Sequence, residues 1–268
     1  MPQPTNSIRA FGYHPELIYQ LTRRDLLTRY KGSVFGFLWV VLIPLCMLVV
    51  YTVIFTRVFN ARWPGAGDSD SHFAFMLFLG LIFHGLLTEC MQKAPNLVLN
   101  EAYLVKKLVF PLDVLAWTSV VQATLHAVCS LLVLVCIILI AGYELHFTIL
   151  LLPLILTPFL LLVTAVSWVL SALGVYFRDL NQVMGLVATL LLFISPVFYP
   201  VESLPAALQS YVYLNPLTLI IEQSRQVVIM GETPNWTALT LYAVISISAF
   251  VLAHRSFVKA QRGFADVL

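Results

Sequence analysis

Charge is scarce in this sequence. Asp, Glu, Lys and Arg supply only 10% of its 268 residues, whereas 60% are hydrophobic and the mean hydropathy is +0.91. Roughly a quarter of an ordinary globular chain is charged, so a soluble domain is excluded. Alternation of apolar and polar residues is missing too. The apolar runs are continuous Leu/Val/Ile stretches, which select helices rather than a barrel as the way to satisfy the backbone in lipid. No Gly-rich phosphate loop ending in Gly-Lys-Ser/Thr is present, and this excludes ATP hydrolysis by the chain itself through that route. The six histidines (14, 72, 84, 126, 146 and 254) show no metal-ligand spacing. All four cysteines (Cys46, Cys90, Cys129 and Cys136) fall inside apolar runs, so membrane-buried thiols are expected, not disulfides or a metal site. Residues 1–33 are polar and end in cations; no cleavable signal peptide is expected. A net charge of +2 says nothing about nucleic acid, because in such a chain the placement of the cations is what matters; no nucleic-acid partner is expected.

What is present reads as an all-α integral membrane protein with six transmembrane helices. The apolar segments are Val34–Phe59, Phe73–Met91, Val114–Ala141, Phe147–Val175, Val183–Tyr199 and Trp236–Ala253, to be compared with the ~20 residues that cross ~30 Å of hydrocarbon. A single membrane domain is expected over 1–268. It comprises a cytoplasmic N-terminal segment with an interfacial helix (1–33), the six-helix region (34–258) and a cytoplasmic tail (259–268). With the N-terminus inside, twelve of the fifteen cations face the cytoplasm and only Arg57, Arg62 and Arg225 lie outside. Both termini are therefore expected in the cytoplasm.

The connections differ in character. "NARWPGAGDSDSH" is an outer Pro/Gly/Asp/Ser linker, whereas "KAPNLVLNEAYLVKKLVFPLD" (93–113) is an amphipathic inner segment whose Lys106 and Lys107 suit anionic headgroups. The second inner loop, "YFRDLNQ", sets Arg178 beside Asp179, most simply as an ion pair. The last outer stretch, 195–236, is apolar yet broken by prolines at 196, 200, 205 and 216. Asn215–Pro216 reads as an N-cap followed by proline at the first helical position. The helix it opens ends near Gly231, reaches only ~22 Å and carries Glu222, Gln223, Arg225 and Gln226. A short re-entrant or interfacial helix at the outer face is expected, with Glu222 and Arg225 paired at i, i+3 and available as an outer gate.

Two further chemistries weigh little. Asp68-Ser69-Asp70 matches the D-x-D of metal-dependent sugar transferases, but three residues in a Gly/Ser-rich linker are most simply solvated acids. His84 and His126 lie within apolar spans, where ionisable residues attract interest as proton relays. Neither has an acidic partner within one turn, so packing or a polar bundle contact is expected and proton-driven transport is poorly supported. A helical bundle without an engine, but with two structured inner loops, instead suggests a passage driven by a separate ATPase.

Three stretches carry a resemblance: "RRDLLTRYKGSVFGFLWVVLIPLCMLVVYTVIFTRVF" (23–59), "VYFRDLNQVMGLVATLLLFISPVFYP" (175–200) and "YLNPLTLIIEQSRQVVIMG" (213–231). In this order, and over nearly the whole chain, the sequence resembles the transmembrane subunit of type-2 ABC transporters that export O-antigen, capsule or teichoic acid precursors. The resemblance implies a non-enzymatic permease in a bacterial inner membrane, working as a homodimer with two copies of a cytoplasmic ATP-binding subunit. ATP and Mg would be bound by that partner, and no cofactor by this chain. The cargo implied is a lipid-linked glycan, on a polyprenyl diphosphate carrier. Arg23, Arg24, Arg29 and Lys31 would then lie on a cytoplasmic gate helix in contact with phosphate headgroups, with Gly32 and Gly36 forming the turn into the first span. Glu101, Tyr103, Lys106, Lys107, Arg178 and Asp179 would form the loops that couple to the ATPase.

A glycan offers apolar C–H faces as well as hydroxyls, so its path favours aromatic surfaces with few fixed charges. Tyr51, Phe55 and Phe59 recur every four residues, making a helical stripe, with Thr52 and Thr56 alongside. Phe193, Phe198 and Tyr199 end the fifth segment. The plainer alternative for all six aromatics is a lipid-facing interfacial belt or helix packing. Two other functions remain open at this point: a type-2 ABC permease for another cargo, such as a drug or lipid, and a membrane-embedded glycosyltransferase using Asp68 and Asp70.

Overall fold

The computed structural model describes residues 15–31, 33, 35–58, 70–105 and 110–267. Among them there are helices, turns and no strands. Helix α1 (Pro15–Tyr30) precedes a short 3₁₀ turn at Gly36–Leu38, and α2 (Trp39–Thr52) follows and passes into a π-helical segment at Val53–Val58. Helix α3 spans Asp70–Lys93, α4 Val114–Ile140, α5 Leu152–Tyr176 and α6 Leu180–Ile194. Two short helices, α7 (Ala206–Val212) and α8 (Pro216–Arg225), come next, and α8 ends in a π-helical segment at Gln226–Met230. Helix α9 (Trp236–Gln261) and the one-turn α10 (Phe264–Val267) close the chain.

Four helical stretches are long and apolar enough to cross a membrane: 72–100, Val114–Ile140, 147–176 and Trp236–Gln261. The other two expected spans are shorter as helices. The first begins at Trp39 instead of Val34, because the backbone turns at Gly36 with φ +50° and Trp39 then donates its indole N–H to Ser33 Oγ at 2.9 Å. The fifth, α6, has 15 residues and so covers only ~22 Å, stopping where Ser195–Pro196 breaks the run.

Contacts between residues distant in sequence define two ends of the bundle. At one end α1, the residues after α3, the end of α5 and α10 meet, through Arg24–Glu101, Gly174–Pro95 and Tyr176–Phe264 contacts. Lys31 follows α1, Lys93 ends α3, Arg178 follows α5 and Lys259 lies in the last turn of α9, and we call this the basic end. At the far end the α4–α5 connection and the segment 195–231 cover the start of α3, with Phe75 and Tyr143 in edge-to-face contact at 5.4 Å. The main core gathers around α3, whose Leu79 and Phe83 are fully buried against Ile155 and Phe159 of α5 and Leu217, Ile220 and Ile221 of α8. A second core at the basic end packs Trp168 of α5 against Trp117, Phe250 and His254 at 4.9–5.9 Å.

Two glycines set the closest approaches. A Cβ at Gly174 would lie 2.1 Å from the carbonyl oxygen of Pro95, so α5 and the turn after α3 touch backbone to backbone. Gly231 ends the second π-helical segment with φ +73°, and a Cβ there would lie 2.6 Å from the ring of His146. Beside it, Thr148 donates its hydroxyl to Val227 O at 2.6 Å, tying the 3₁₀ turn that leads into α5 (Phe147–Leu151) to the same segment.

Candidate functional site

Helix α2 is mostly exposed, burying only Val40 and Leu48 among its residues. It leans on α3 and α4 without filling the space in front of them. The result is an open groove of about 430 Å³ between α2, α3, α4 and α6, with Trp39, Pro44 and Tyr51 along one wall. Twelve residues separate Trp39 from Tyr51, so the groove follows the bundle for ~18 Å at helical rise.

Aromatic residues close its far end. Tyr51 and Phe55 lie 6.4 Å apart, Phe198 stacks on Phe55 at 5.3 Å, and Phe193 approaches Phe198 at 6.0 Å. Phe73 of α3 joins this cluster at 5.9 Å from Phe55, an addition that spacing along the first span does not reveal. Tyr199 turns away and donates its hydroxyl to Phe193 O and Ile194 O at 3.1 and 2.9 Å, capping the carbonyl end of α6. Phe59 lies outside the described residues, and the side chain of Thr56 is likewise not described. From Val53 onward the turns are π-helical, which changes the angular spacing of the residues that follow. Thr52 itself donates to Leu48 O at 2.6 Å.

The segment that carries Phe198 is held by Arg225, which is 1% exposed. Its guanidinium donates to Met76 O (3.0 Å), Pro196 O (2.7 Å) and Val197 O (3.0 Å), and to Glu222 Oε1 at 3.0 Å. The expected Glu222–Arg225 pair therefore forms, but it is one part of a clamp on three main-chain carbonyls. Upstream, Asn215 accepts from Leu217 N at 3.0 Å as the N-cap of α8, while its amide donates to Ser195 Oγ at 2.8 Å.

The basic end of the groove is polar. His126 Nδ1 lies 2.9 Å from Glu89 Oε2, and Lys93 donates to Glu89 at 2.7 Å and to Gln122 at 3.2 Å. Gln122 in turn donates to Asp25 of α1 at 2.9 Å, and Arg24 beside it bonds both Asp25 (2.9 Å) and Glu101 (2.7 Å). These contacts link α1, α3, α4 and the segment after α3. Hydrogen bonds to Glu101 and then Asp25 hold the Arg24 guanidinium above its ordinary pKa. His126 thus does have an acidic partner, contrary to the one-turn search along the sequence: Glu89 is 37 residues away and reaches it from the facing helix. His84 bonds the Ala188 carbonyl at 3.0 Å, joining α3 to α6.

A larger cavity, about 1060 Å³, opens between α1 and α4. Arg23, Arg24, Thr28 and Lys31 line it together with apolar Ile18 and Leu125. The side chain of Arg29 and all of Lys106 and Lys107 lie outside the described residues. Glu101 is half-buried and Tyr103 exposed. Arg178 and Asp179 are both exposed in the turn between α5 and α6, and no ion pair joins them among the described residues. Asp68 is outside the described residues, and Asp70 opens α3. No group of three His, Cys, Asp or Glu residues positioned to hold a metal occurs among the described residues.

Known proteins resemble this chain along its length. The O-antigen export system permease protein RfbA of Klebsiella pneumoniae is 25% identical over 258 residues, 96% of each chain. A protein of the same description from Myxococcus xanthus is 26% identical over 261 residues, 97% of this chain and 98% of its own. The polysialic acid transport protein KpsM of Escherichia coli is 26% identical over 241 residues, 89% and 91% of the two chains. The family description "ABC-2 type transporter" matches residues 16–229, from α1 to the end of the second π-helical segment. The chain belongs to the ABC-2 type transporter family, as a multi-pass membrane permease.

Proposed function

We propose that this chain is the permease subunit of an ATP-driven exporter that moves a lipid-linked polysaccharide out of the bacterial cytoplasm. The carrying observation is end-to-end similarity to permeases described for O-antigen export and polysialic acid transport. The geometry supports it in two ways. The cavity between α1 and α4 sets cations among apolar side chains, which suits a phosphate-bearing lipid. The adjoining groove runs along the helices and ends in an aromatic cluster, which suits sugar rings.

In this reading the basic end is cytoplasmic, both termini included, and six segments cross the membrane, with α2 and α6 as the shorter two. Segment 195–231 covers the outer face as a re-entrant cap, with Glu222 and Arg225 at its gate. Two copies of the chain associate with two copies of an ATP-binding subunit, which docks on residues 94–107 and the Arg178–Asp179 turn and holds ATP and Mg. Tyr51, Phe55, Phe59, Phe193, Phe198 and Tyr199 border the path, and Arg23, Arg24, Arg29 and Lys31 meet the carrier phosphates.

Deleting the gene tests this. Surface polysaccharide is expected to vanish while polymer accumulates in the cytoplasm, and the purified chain alone is expected to hydrolyse no ATP. Normal surface polysaccharide in the deletion strain would refute the reading.

A further inference from the structure

Sequence spacing directs attention to aromatics at the far end of the groove, yet its ionisable groups stand at the basic end. Glu89 and His126 face each other at 2.9 Å, and both line the groove with His84, Ser130 and Trp39. Each keeps about a fifth of its side chain accessible, 20% for Glu89 and 19% for His126. Their mutual contact and Lys93 therefore compensate the charge without sealing it away. An ionisable group among spanning helices is costly and tends to face a substrate path. This groove also has the volume of a small-ligand site, with apolar walls and a few convergent polar groups.

The two cavities differ in chemistry. The one between α1 and α4 is lined by Arg23, Arg24 and Lys31 and attracts an anion. The groove presents a carboxylate, which only accepts hydrogen bonds when ionised and repels phosphate. It presents imidazoles and a hydroxyl as adaptable partners, and an indole 37% exposed that offers a flat face to C–H groups. Acceptors for hydroxyls beside a ring for C–H faces are what a neutral sugar requires. We propose that this groove is a carbohydrate-contact site in which Glu89 accepts hydrogen bonds from sugar hydroxyls, beside His84, His126 and Ser130, while Trp39 covers a ring face. The proposal rests on the export function above and locates a sugar-binding subsite apart from the carrier phosphates.

The test places a photoreactive benzophenone residue at Ile43, an exposed position lining the groove, and at Val49, an exposed position of α2 outside it. Cells exporting polysaccharide with the complete transporter are irradiated, and the purified chain is stained for periodate-oxidisable glycan. A glycan-bearing adduct is expected at Ile43 and not at Val49. Glu89→Gln should lower it roughly tenfold, the loss expected for a hydrogen bond to a charged group, with chain abundance unchanged, and Glu89→Asp should restore most of it. The wild-type contrast between Ile43 and Val49 stands even where a Glu89 variant folds poorly. An Ile43 adduct with lipid but no glycan, no glycan adduct in exporting cells, or one indifferent to Glu89→Gln in a stable chain would overturn the proposal. Failure of the export reading is distinct, since it appears as normal surface polysaccharide in the deletion strain.

Discussion

Arg225→Met removes the guanidinium while keeping much of the side-chain volume. Three main-chain carbonyls, of Met76, Pro196 and Val197, then lose a charged donor within a site that excludes water, and the Glu222 carboxylate loses its ion-pair partner. A hydrogen bond to a charged group is worth ~1.5–3 kcal/mol, but such losses are not additive. Breaking a buried pair by removing one partner costs ~3–5 kcal/mol, and we expect that total here. At ~2–4 °C per kcal/mol for a chain of this size, the melting temperature of the detergent-solubilised protein should fall by roughly 10 °C. Arg225→Lys keeps the charge but cannot fork to several carbonyls, so it should recover less than half of the loss. Adding Glu222→Gln to Arg225→Met should return ~1 kcal/mol or more, because the stranded carboxylate is gone. Fluorescence-detected size-exclusion chromatography after heating each variant measures all three. If Arg225→Met melts within 1 °C of wild type, the clamp does not hold this segment and the reasoning fails.

Other expectations follow the same physics. Gly174→Ala should destabilise the chain by ~2 kcal/mol or more despite a gain of ~1 kcal/mol in helix propensity, because the added carbon meets Pro95 main chain at 2.1 Å; a thermal shift upward would contradict this. Asn215→Ala should cost ~1–2 kcal/mol through loss of the α8 cap and the Ser195 contact, read as a lower melting temperature. Arg24→Gln and Glu101→Gln in a double-mutant cycle should show a coupling of only ~0.2–1 kcal/mol, vanishing at high salt, since Arg24 is 52% exposed; a coupling of several kcal/mol would refute that exposure. A fluorescent reporter on either terminus should shine and an alkaline phosphatase fusion should stay inactive, as the proposed cytoplasmic placement of both ends requires.

Much of the fold was legible because composition is local. The runs Val114–Ala141 and Phe147–Val175 end within one residue of the helices that form, Val114–Ile140 and 147–176. Asn215–Pro216 marked its cap because both signals act within three residues. What was hidden depends on distance along the chain. Glu89 and His126 are 37 residues apart, and Arg225 reaches Met76 across 149. Periodicity within one helix carries no information about a facing helix. The π-helical turns at Val53–Val58 escaped for another reason: the sequence VIFTRV carries no glycine, proline or cap that would separate π- from α-helical turns. The grouping of Tyr51, Phe55, Phe193 and Phe198 at one place follows because α6 runs parallel to α2, both from the basic end to the far end, so the end of the fifth run lies beside the end of the first.

The contacts at Gly231 also decide how the cover over the far end moves. One margin is riveted to the turn that leads into α5, where His146 fills the space above the glycine and Thr148 grips Val227. The other end of the segment, Pro196–Val197, is joined to α3 through Arg225, which donates to both of its carbonyls and to Met76 O. A sheet of material fixed along two edges cannot swing like a trapdoor. Its least covered stretch is α7 and the turn after it, where Tyr211 and Leu214 stand 70% and 79% exposed while Val212 O is held by the Thr218 hydroxyl. In the export reading proposed above, passage beneath such a cover requires its middle to bulge or the flanking helices to part, carrying their rivets with them.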